Sequence, residues 1–592
     1  MRVLLTTLNS QFVHTALGIR YLREVLKRHP AFDQWEIRCE EYTINDHWSQ
    51  IAAAIQEIHP DIVGFSCYIW NIKETILIAR RLKQFNPNCY LLFGGPEATY
   101  RAEELIRSYA WLDGVLAGEA EETLPLLLQQ LAKKETVNVA GFVARSCGNH
   151  DAAAMMIPQL SDLRQMPFPY TEEEMLSQKG RIFYYESSRG CPYTCQYCLS
   201  SVEKGVRWLP LERVFDDLRR FMAAGVQQVK FVDRTFNANR ARAREIWQFL
   251  INEASTLPIN FHFELAADLL GEEDVGLLRQ APQGLFQFEI GIQSTNCKTL
   301  SFVQRPMDFA QITAFVKAME QIAAIHIHLD LIAGLPGEDW QSFAKSFNDV
   351  YALGTEYLQL GFLKLLPGTG LFRDAGKYGI IFDCEAPYEV LSTNWMNCDE
   401  LLRLHRIEEL LQRYGNSGRY HYILDRLLQQ FASPFTFYAA MEKFWQQQNW
   451  FGRPLRESVY WQRLWQFISL EIQDTIEITQ LLCLLKFDFC LAFKDDDFPL
   501  PEMKQSMTEV QRELLYRYLE SPDFYTKFPE YADMSAKEVR RKVRVEPFSL
   551  SLQRLLQAER LYPLCVEPMI LIFVWQPLLR GGRSSNWIEL RV

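Results

Sequence analysis

Short apolar runs alternate with amphipathic stretches over the first 145 residues. RVLLTTL, WEIRCEEY, DIVGFSCY, CYLLFGG and GVLAGE are strand-like, and residues 18–27, 51–58 and 72–85 between them place apolar side chains at helical spacing. Continuous apolar strands that alternate with helices are typical of a parallel sheet covered on both faces. Residues 1–145 are therefore predicted to form a doubly wound α/β domain, in which ligands bind beyond the carboxyl ends of the strands.

A second alternating series covers residues 181–375. Its strand-like runs are RIFYYES, QQVKFVD, NFHFELA, FQFEIGI, HIHLDLIAGLPG and YLQLGFLKL, and its helix candidates cover 211–223, 242–253, 309–322 and 340–353. Six consecutive strand–helix units predict a partial (β/α)6 barrel with its active site at the carboxyl ends of the strands. Residues 146–180 join the two series, are rich in proline and acidic residues, and are predicted to be a linker.

The hydrophobic pattern changes after residue 375. Residues 401–414, 420–430, 441–448, 459–470 and 507–519 have helical periodicity, and FKDDDFPLPEMK interrupts the region near Asp495. We therefore predict a mostly helical C-terminal domain over residues 376–592. Its expected role is to select the substrate.

Composition narrows the class of protein. A chain of 592 residues exceeds one hydrophobic core, so about three domains are expected. The net charge of −11 gives no strong signal for nucleic-acid binding. No apolar run is long enough to span a membrane, and the first residues lack the apolar region of a signal peptide. We expect a cytoplasmic protein with no membrane partner, in which a tight cysteine cluster indicates metal binding or catalysis.

The strongest chemical signal is the segment SSRGCPYTCQYCLS, in which Cys191, Cys195 and Cys198 lie within eight residues. A short loop of this kind can wrap three thiolates around one iron–sulfur cluster, and the remaining iron stays open to a small molecule. A structural zinc site is the alternative, but it needs a fourth ligand. No cysteine or histidine follows within sixty residues, which disfavours zinc, although distant ligands stay open.

The cysteine segment and the six strand–helix units together resemble the radical S-adenosylmethionine superfamily, and this resemblance covers residues 181–375. The resemblance implies a 4Fe-4S cluster bound by Cys191, Cys195 and Cys198, whose open iron chelates S-adenosylmethionine. In that family, one electron from the cluster releases a 5′-deoxyadenosyl radical that abstracts hydrogen from a substrate. A dry barrel suits this chemistry, because it keeps a reactive radical from side reactions.

Further contacts to S-adenosylmethionine are implied by position. The resemblance suggests Tyr197, Asp233, Glu264, Glu289, Gln293, Ser294, Leu335 and Pro336. The segment FVDRTFNAN lacks the glycines that the family often has after the second strand, so backbone carbonyls or Asp233 must receive the methionine amino group. Ordinary structural roles are the alternatives: Asp233 as a helix cap, Glu264 in an ion pair, and LPGE as a simple turn.

The N-terminal segments HTALGIRYLREVL, GFSCYIWN, LLFGGPEAT and LAGEAEET resemble, in this order, the cobalamin-binding domain of cobalamin-dependent radical enzymes. The resemblance covers residues 1–145 and implies that cobalamin is bound by Ser66, Tyr68, Trp70, Gly94, Gly95, Pro96 and Glu119. No D-x-H-x-x-G motif occurs, so a cobalt-ligating histidine from that motif is absent. Tyr68, Ile69 and Trp70 are candidates for the lower cobalt face, or else ordinary rim aromatics. His14 is interpreted as a helix-start or surface residue.

Together the resemblances imply a cobalamin-dependent radical enzyme with a helical C-terminal domain of unknown function. The favoured reaction is methylation of an unactivated carbon, and the expected partner is an electron donor such as flavodoxin or ferredoxin. Three alternatives stay open. They are a radical cyclisation, rearrangement or oxidation without methyl transfer, a tRNA methylthiotransferase-like activity, and a non-catalytic cobalamin or iron–sulfur sensor.

Overall fold

The computed structural model describes residues 1–145, 157–202, 205–322, 324–557, 566–577 and 583–591. The chain divides into two compact units. The first comprises Met1–Phe343 and Gln359–Cys398, and the second comprises Ala344–Leu358 and Asp399–Val592. The first unit contains the predicted N-terminal α/β domain and most of the second one, without residues 344–358.

The N-terminal domain is the predicted doubly wound α/β fold. Its strands are β1 Arg2–Asn9, β2 Glu36–Thr43, β3 Ile62–Ser66, β4 Tyr90–Gly94, β5 Gly114–Leu116 and β6 Phe142–Val143. Its helices are α1 Leu17–Arg28, α2 Trp48–Ile58, α3 Ile72–Phe85, α4 Pro96–Thr99, α5 Ala102–Ser108 and α6 Thr123–Lys133. The strand order is β2-β1-β3-β4-β5-β6, parallel except for β6, a short antiparallel edge strand that the sequence did not predict.

The continuous apolar runs arise because the sheet is buried on both faces. Along β1, Leu4 and Leu8 enter one hydrophobic core, whereas Val3 and Leu5 enter the core on the opposite face. A strand points alternate side chains to opposite faces, so both sets must be apolar when helices cover both sides.

The described part of the predicted linker, residues 157–180, is an ordered and packed segment. It contains the short helix α7 Glu172–Ser177, which begins with a capping box between Thr171 and Glu174. Phe168 and Tyr170 are buried, and both make edge-to-face contacts with Phe221. The predicted linker therefore does connect the two domains, but its described part packs against the barrel.

The second α/β domain contains the six predicted strands in sequence order. They are β7 Ile182–Tyr185, β10 Gln228–Phe231, β11 Asn260–Leu265, β12 Phe286–Gln293, β13 His326–Ala333 and β14 Tyr357–Phe362. They form one sheet in the order β14-β13-β12-β11-β10-β7, with parallel pairing from β7 through β13. This confirms the predicted partial barrel. A hairpin of β8 Ser188–Cys191 and β9 Gly205–Trp208, which was not predicted, is inserted after β7.

The helices of this domain are α8 Leu211–Ala223, α9 Arg240–Ala254, α10 Glu272–Leu278, α11 Cys297–Phe302, α12 Phe309–Glu320, α13 Trp340–Tyr351 and α14 Gly370–Arg373. Small strands β15 Ile381–Phe382 and β16 Val390–Ser392 follow them. On β11, Phe261 and Phe263 are fully buried, and Phe263 meets Trp247 of α9 edge to face. The alternate side chain Glu264 borders a cavity, so the polar positions of the strands point into the barrel.

The second unit is mostly helical, as predicted. Its helices are α15 Cys398–Leu410, α16 His421–Leu428, α17 Pro434–Gln447, α18 Glu457–Glu471, α19 Thr475–Ala492, α20 Glu509–Leu519, α21 Pro522–Lys527, α22 Ala536–Lys542 and α23 Leu552–Gln557. A π-helical turn at Leu411–Gly415 extends α15. The structure adds helix α19 and the short helices α21, α22 and α23 to the prediction. It also adds an antiparallel sheet of β17 Arg544–Leu550, β18 Val566–Pro577 and β19 Arg583–Arg591. Within the described residues, no helix is both long enough and apolar enough to cross a membrane.

Candidate cofactor site

The first unit encloses a cavity of about 640 Å³ where the carboxyl ends of the N-terminal strands face those of the barrel. Residues of both domains line it, including Tyr68, Trp70 and Glu119 from the first and Arg189, Arg234 and Glu264 from the second. A smaller cavity of about 240 Å³, lined mainly by the N-terminal domain, shares some of these residues. Because the two cavities share Tyr68, Gly95, Glu119 and Arg189 in their walls, they are adjacent parts of one candidate site.

The cysteine loop begins where β8 ends, at Cys191, and closes in a tight turn after Cys198. Ser201 Oγ lies 2.8 Å from the carbonyl oxygen of Cys195 and 2.7 Å from that of Cys198. Burial raises the pKa of the Cys195 thiol, and the guanidinium of Arg305, 3.7 Å from its Sγ, opposes this. Local hydrogen bonds thus fix the loop around a buried thiol.

The arrangement of the loop bears on the zinc alternative. Within the described residues, no three His, Cys, Asp or Glu side chains are grouped around one position for a metal ion. A mononuclear zinc site requires such a grouping. An iron–sulfur cluster instead takes each thiolate on a separate iron, so it does not require the three thiolates to surround one metal ion.

Asp233 lies beside the cysteine loop rather than in the cavity. Its carboxylate is fully buried and accepts hydrogen bonds from Ser187 N at 2.9 Å, Ser187 Oγ at 2.7 Å and Ser188 Oγ at 2.5 Å. Its neighbours Val232 and Arg234 line the cavity instead. Asp233 therefore secures the start of β8, the strand that ends at Cys191.

Glu264 and Glu289 occupy different environments. Glu264 lines the cavity; burial raises the pKa of its carboxyl, and the charge of Arg234 opposes this. Glu289 instead contacts Lys230 Nζ at 2.9 Å and His262 Nε2 at 3.0 Å. Burial opposes its ionisation, but the His262 hydrogen bond and the Lys230 charge outweigh burial and lower its pKa to about 2. Of the two, only Glu264 borders the cavity.

The remaining barrel candidates lie near the strand ends. Gln293 ends β12 with φ 69°, and its buried Oε1 has no hydrogen-bond partner in the part of the chain that the structure describes. Ser294 Oγ is 2.6 Å from Glu338 Oε1. Leu335 and Pro336 are buried in the turn after β13. Burial also raises the pKa of Tyr197 in the cysteine loop.

The N-terminal candidates line both cavities. Ser66, Gly94 and Gly95 border the smaller one, and Pro96 borders the larger one. Gly95 has φ 88°, and a Cβ there would lie 2.8 Å from the Cys67 carbonyl oxygen. This position therefore requires glycine, and its bare backbone leaves room at the cavity wall.

Tyr68 and Trp70 form a stacked pair with ring centroids 4.3 Å apart and an interplanar angle of 9°. Trp70 Nε1 donates to the Leu8 carbonyl oxygen at 3.2 Å, and the Tyr68 backbone N–H donates to Asn71 Oδ1 at 2.8 Å. Ile69, the third lower-face candidate, packs against the domain core. The stacked pair thus presents a flat aromatic surface to the larger cavity.

Glu119 also borders both cavities, but its carboxylate is already paired. Arg207 Nη1 lies 2.9 Å from it, Arg189 Nη1 lies 3.2 Å from it, and both arginines belong to the β8–β9 hairpin. Burial raises the pKa of Glu119, but Arg207 and Arg189 outweigh it and lower the pKa overall. The predicted cofactor residue is therefore an ion-pair link between the two domains.

Sequence reasoning missed several residues of the site. Arg189 lies within the cysteine motif and joins Glu186 and Glu121 at the cavity wall. His14, interpreted as a helix-start or surface residue, lines the cavity, and its Nδ1 is 2.8 Å from Tyr184 Oη. A signal for Arg189 existed, since it precedes Cys191 by two residues. No local pattern connects His14 with a residue 170 positions away.

Three family models match separate parts of the chain. The B12 binding domain matches residues 3–128, and the radical SAM superfamily matches residues 185–350. The chain therefore combines the two domains of the cobalamin-binding radical S-adenosylmethionine enzymes. The cofactors of this enzyme are accordingly cobalamin, S-adenosylmethionine and a 4Fe-4S cluster. A protein family of unknown function, DUF4080, matches residues 376–564 of its C-terminal region.

Individual relatives are distant. An uncharacterized methyltransferase of Pyrococcus horikoshii is 25% identical over 366 residues, covering 61% of this enzyme and 78% of the relative. The cobalamin-dependent radical SAM methyltransferase TokK of Streptomyces tokunonensis is 25% identical over 343 residues, covering 54% of this enzyme and 50% of TokK. The chain thus spans only half the length of TokK.

The fold also matches a solved structure. The cobalamin-dependent S-adenosylmethionine radical enzyme OxsB, with aqua-cobalamin and S-adenosylmethionine bound, superimposes with a TM-score of 0.55. The match covers 94% of this enzyme and 83% of OxsB at 15% sequence identity. At this identity the likeness describes the fold.

Proposed function

We propose that this enzyme is a cobalamin-dependent radical S-adenosylmethionine methyltransferase that acts on an unactivated carbon. The observation that carries the proposal is the shared cavity, whose walls combine the hairpin of the cysteine loop with the loops after β1, β3, β4 and β5 of the N-terminal domain. The proposal divides the chain into a cobalamin-binding domain (1–145), a linker (146–180), a radical barrel (181–375) and a substrate-selecting domain (376–592).

Each cofactor has a matching wall. The cluster is held by Cys191, Cys195 and Cys198. S-adenosylmethionine is bound by the backbone of Val232 and Arg234 and by the carboxylate of Glu264. Because serine donors already engage Asp233, the backbone is the better acceptor for the methionine amino group. The proposal adds contacts to S-adenosylmethionine from the residues near the ends of β12 and β13, which are Gln293, Ser294, Leu335 and Pro336. Gln293 Oε1, which has no hydrogen-bond partner among the described residues, is available to a hydroxyl donor.

Cobalamin fits the N-terminal wall. The loops at the strand ends line the cavities through Ser66, Gly94, Gly95 and Pro96. The stacked rings of Tyr68 and Trp70 offer a flat face to a planar ring system. The smaller cavity reaches between β1, β3, β4 and β5, a narrow cleft suited to a nucleotide tail.

When bound, the cofactors supply a methyl group and a 5′-deoxyadenosyl radical. The residues of the chain position and shield the reactants; no side chain needs to remove a proton from carbon, because none is basic enough at neutral pH. His14 and Tyr184 close one side of the cavity with their mutual hydrogen bond. An electron donor such as flavodoxin or ferredoxin would reduce the cluster.

The test is anaerobic reconstitution with iron, sulfide and hydroxocobalamin, followed by assays of S-adenosylmethionine cleavage and product mass. C191A is expected to lose the cluster and to lower cleavage at least about a hundredfold, since a cluster ligand is removed. C297A is the matched control, because Cys297 is exposed on α11 outside the loop. Full cluster content and cleavage in C191A would contradict the proposal.

Product analysis separates the rival reactions. Methyl transfer adds one methyl group and consumes two S-adenosylmethionine molecules per product, whereas cyclisation, rearrangement or oxidation adds none. A non-catalytic sensor would not cleave S-adenosylmethionine at all. For methylthiolation, a second cluster would need Cys39, Cys67 and Cys89. Cys67 follows β3 at its carboxyl end, whereas Cys89 precedes β4 at its amino end, which separates them along the sheet.

A further inference from the structure

Arg189 joins the walls of both cavities. It lies on β8, is 12% exposed, and borders the smaller as well as the larger cavity. Its guanidinium meets Glu186 at 3.0 Å, Glu121 at 2.6 Å and Glu119 at 3.2 Å. Glu119 and Glu121 follow β5 in the N-terminal domain, whereas Glu186 follows β7 in the barrel. One side chain therefore holds the cavity-facing loops of both domains.

The position of Arg189 fixes the position of Cys191. Arg189 pairs across the hairpin with Arg207, and both arginines contact Glu119. Gly190 separates Arg189 from Cys191, and a Cβ on Gly190 would lie 2.1 Å from the Gly205 carbonyl oxygen. The two hairpin strands are therefore in close contact at this point, and a displacement of Arg189 moves the first cysteine of the loop.

The surrounding charges leave one acceptor unsatisfied. Three carboxylates, those of Glu119, Glu121 and Glu186, face two arginines, and burial raises the pKa of Glu186 to about 7. Glu121 Oε2 is buried without a hydrogen-bond partner within the described ranges, and Glu121 borders the smaller cavity. Because buried acceptors are normally satisfied, a donor on the occupant of that cavity should complete it. The amide groups around a corrin ring are donors of this kind.

We propose that Arg189 is a positioning residue that couples occupancy of the cobalamin cavity to the geometry of the cysteine loop. The inference rests on the proposed function, which places cobalamin in this cavity. An occupant that orders Glu119 and Glu121 also orders Arg189, and Arg189 orders the strand that ends at Cys191. By thermodynamic linkage, protein that carries the cluster then binds cobalamin more tightly than protein without it.

The experiment measures the dissociation constant of hydroxocobalamin for the full chain with and without the reconstituted cluster. In the unaltered protein, the cluster is expected to tighten binding by at least about fivefold. R189Q removes the charge and the forked donors, so the ratio of the two constants should fall to about one. R189K keeps the charge and should restore part of the ratio. R213Q, the control, loses an arginine pair with Asp217 away from the cavity and should keep the full ratio.

A ratio of one in the unaltered protein, or an unchanged ratio in R189Q, would overturn the coupling. Failure of the unaltered protein to bind hydroxocobalamin or to assemble a cluster would contradict the proposed function instead. Should R189Q fail to fold, E121Q tests the same coupling from the N-terminal domain, and an unchanged ratio there would equally overturn it. Hydrogen exchange gives a second readout: hydroxocobalamin should protect residues 188–199 in the unaltered protein but not in R189Q.

Discussion

Asp233 illustrates how a single carboxylate can shape the cysteine loop without reaching the cavity. Three donors from Ser187 and Ser188 converge on it in a fully buried site. Its sequence position, at the end of the second barrel strand, suggested contact with S-adenosylmethionine. The position of a residue along a strand shows how close it lies to the carboxyl end of the barrel. It does not show which neighbouring groups donate hydrogen bonds to its carboxylate.

D233N tests this supporting role. The amide replaces one acceptor oxygen by a donor that faces serine donors, so we expect a loss of about 1–3 kcal/mol of unfolding free energy. Iron retention should also fall, because β8 loses its anchor. Denaturant unfolding and iron content after reconstitution measure these effects. D216N is the control, since Asp216 is exposed and pairs with Arg219 on the surface; equal losses in both variants would contradict the role.

At the scale of elements, the β8–β9 hairpin is the decisive addition to the barrel. It carries Cys191 at the end of one strand and brings Arg189 and Arg207 side by side. Gly190 has φ 93° and lies against the Gly205 carbonyl oxygen, so the hairpin depends on a residue without a side chain.

G190A should therefore open the hairpin and prevent stable assembly of the cluster. The matched control is G225A, because Gly225 has a similar positive φ of 69° but open space around its Cα. G225A should be destabilised by about 1 kcal/mol through backbone strain and should keep its cluster. Absorption spectra of the reconstituted proteins give the comparison. Normal cluster content in G190A would show that the close contact is not required.

The sequence predicted these elements unevenly, for physical reasons. The six barrel strands and helix α8 are recognisable because strand and helix periodicities alternate cleanly. Helix α19 escaped prediction because its residues are apolar on nearly all sides, so burial leaves no amphipathic stripe. The four-residue strands β8 and β9 are too short for an alternating pattern. Glu119 was identified as a cofactor residue, but its arginine partners lie 70 and 88 positions away, beyond any local signal.

At the scale of the first unit, buried ion pairs join the N-terminal domain to the segment before the barrel. Arg23 of α1 forks onto Glu174 of α7 at 2.6 and 2.8 Å, and it also donates to the Pro169 carbonyl oxygen at 3.1 Å. Burial raises the pKa of Glu174, but the Arg23 hydrogen bond and the charge of Arg20 outweigh it and lower the pKa to about 2. Ionised Glu174 therefore favours the folded unit.

E174Q should be less stable than the unaltered protein at pH 7. A carboxyl whose pKa is lowered in the folded state contributes its stability above its ordinary pKa near 4.5, and loses it as the pH falls toward 2. The stability difference between the two proteins should therefore shrink over this interval. Denaturant midpoints at several pH values measure it. A difference that stays constant down to pH 2 would assign the effect to packing rather than charge.

The contact between residues 13–15 and β7 has a consequence for aggregation. Ile182 N donates to the Val13 carbonyl oxygen at 2.7 Å, and His14 pairs with Ile182 as a parallel bridge, so the loop after β1 covers the outer edge of the barrel sheet. Unpaired strand edges recruit other chains. A barrel separated from residues 1–145 would expose such an edge and tend to self-associate. We therefore expect the N-terminal domain to block intermolecular extension of the barrel sheet at β7 as well as to bind its cofactor.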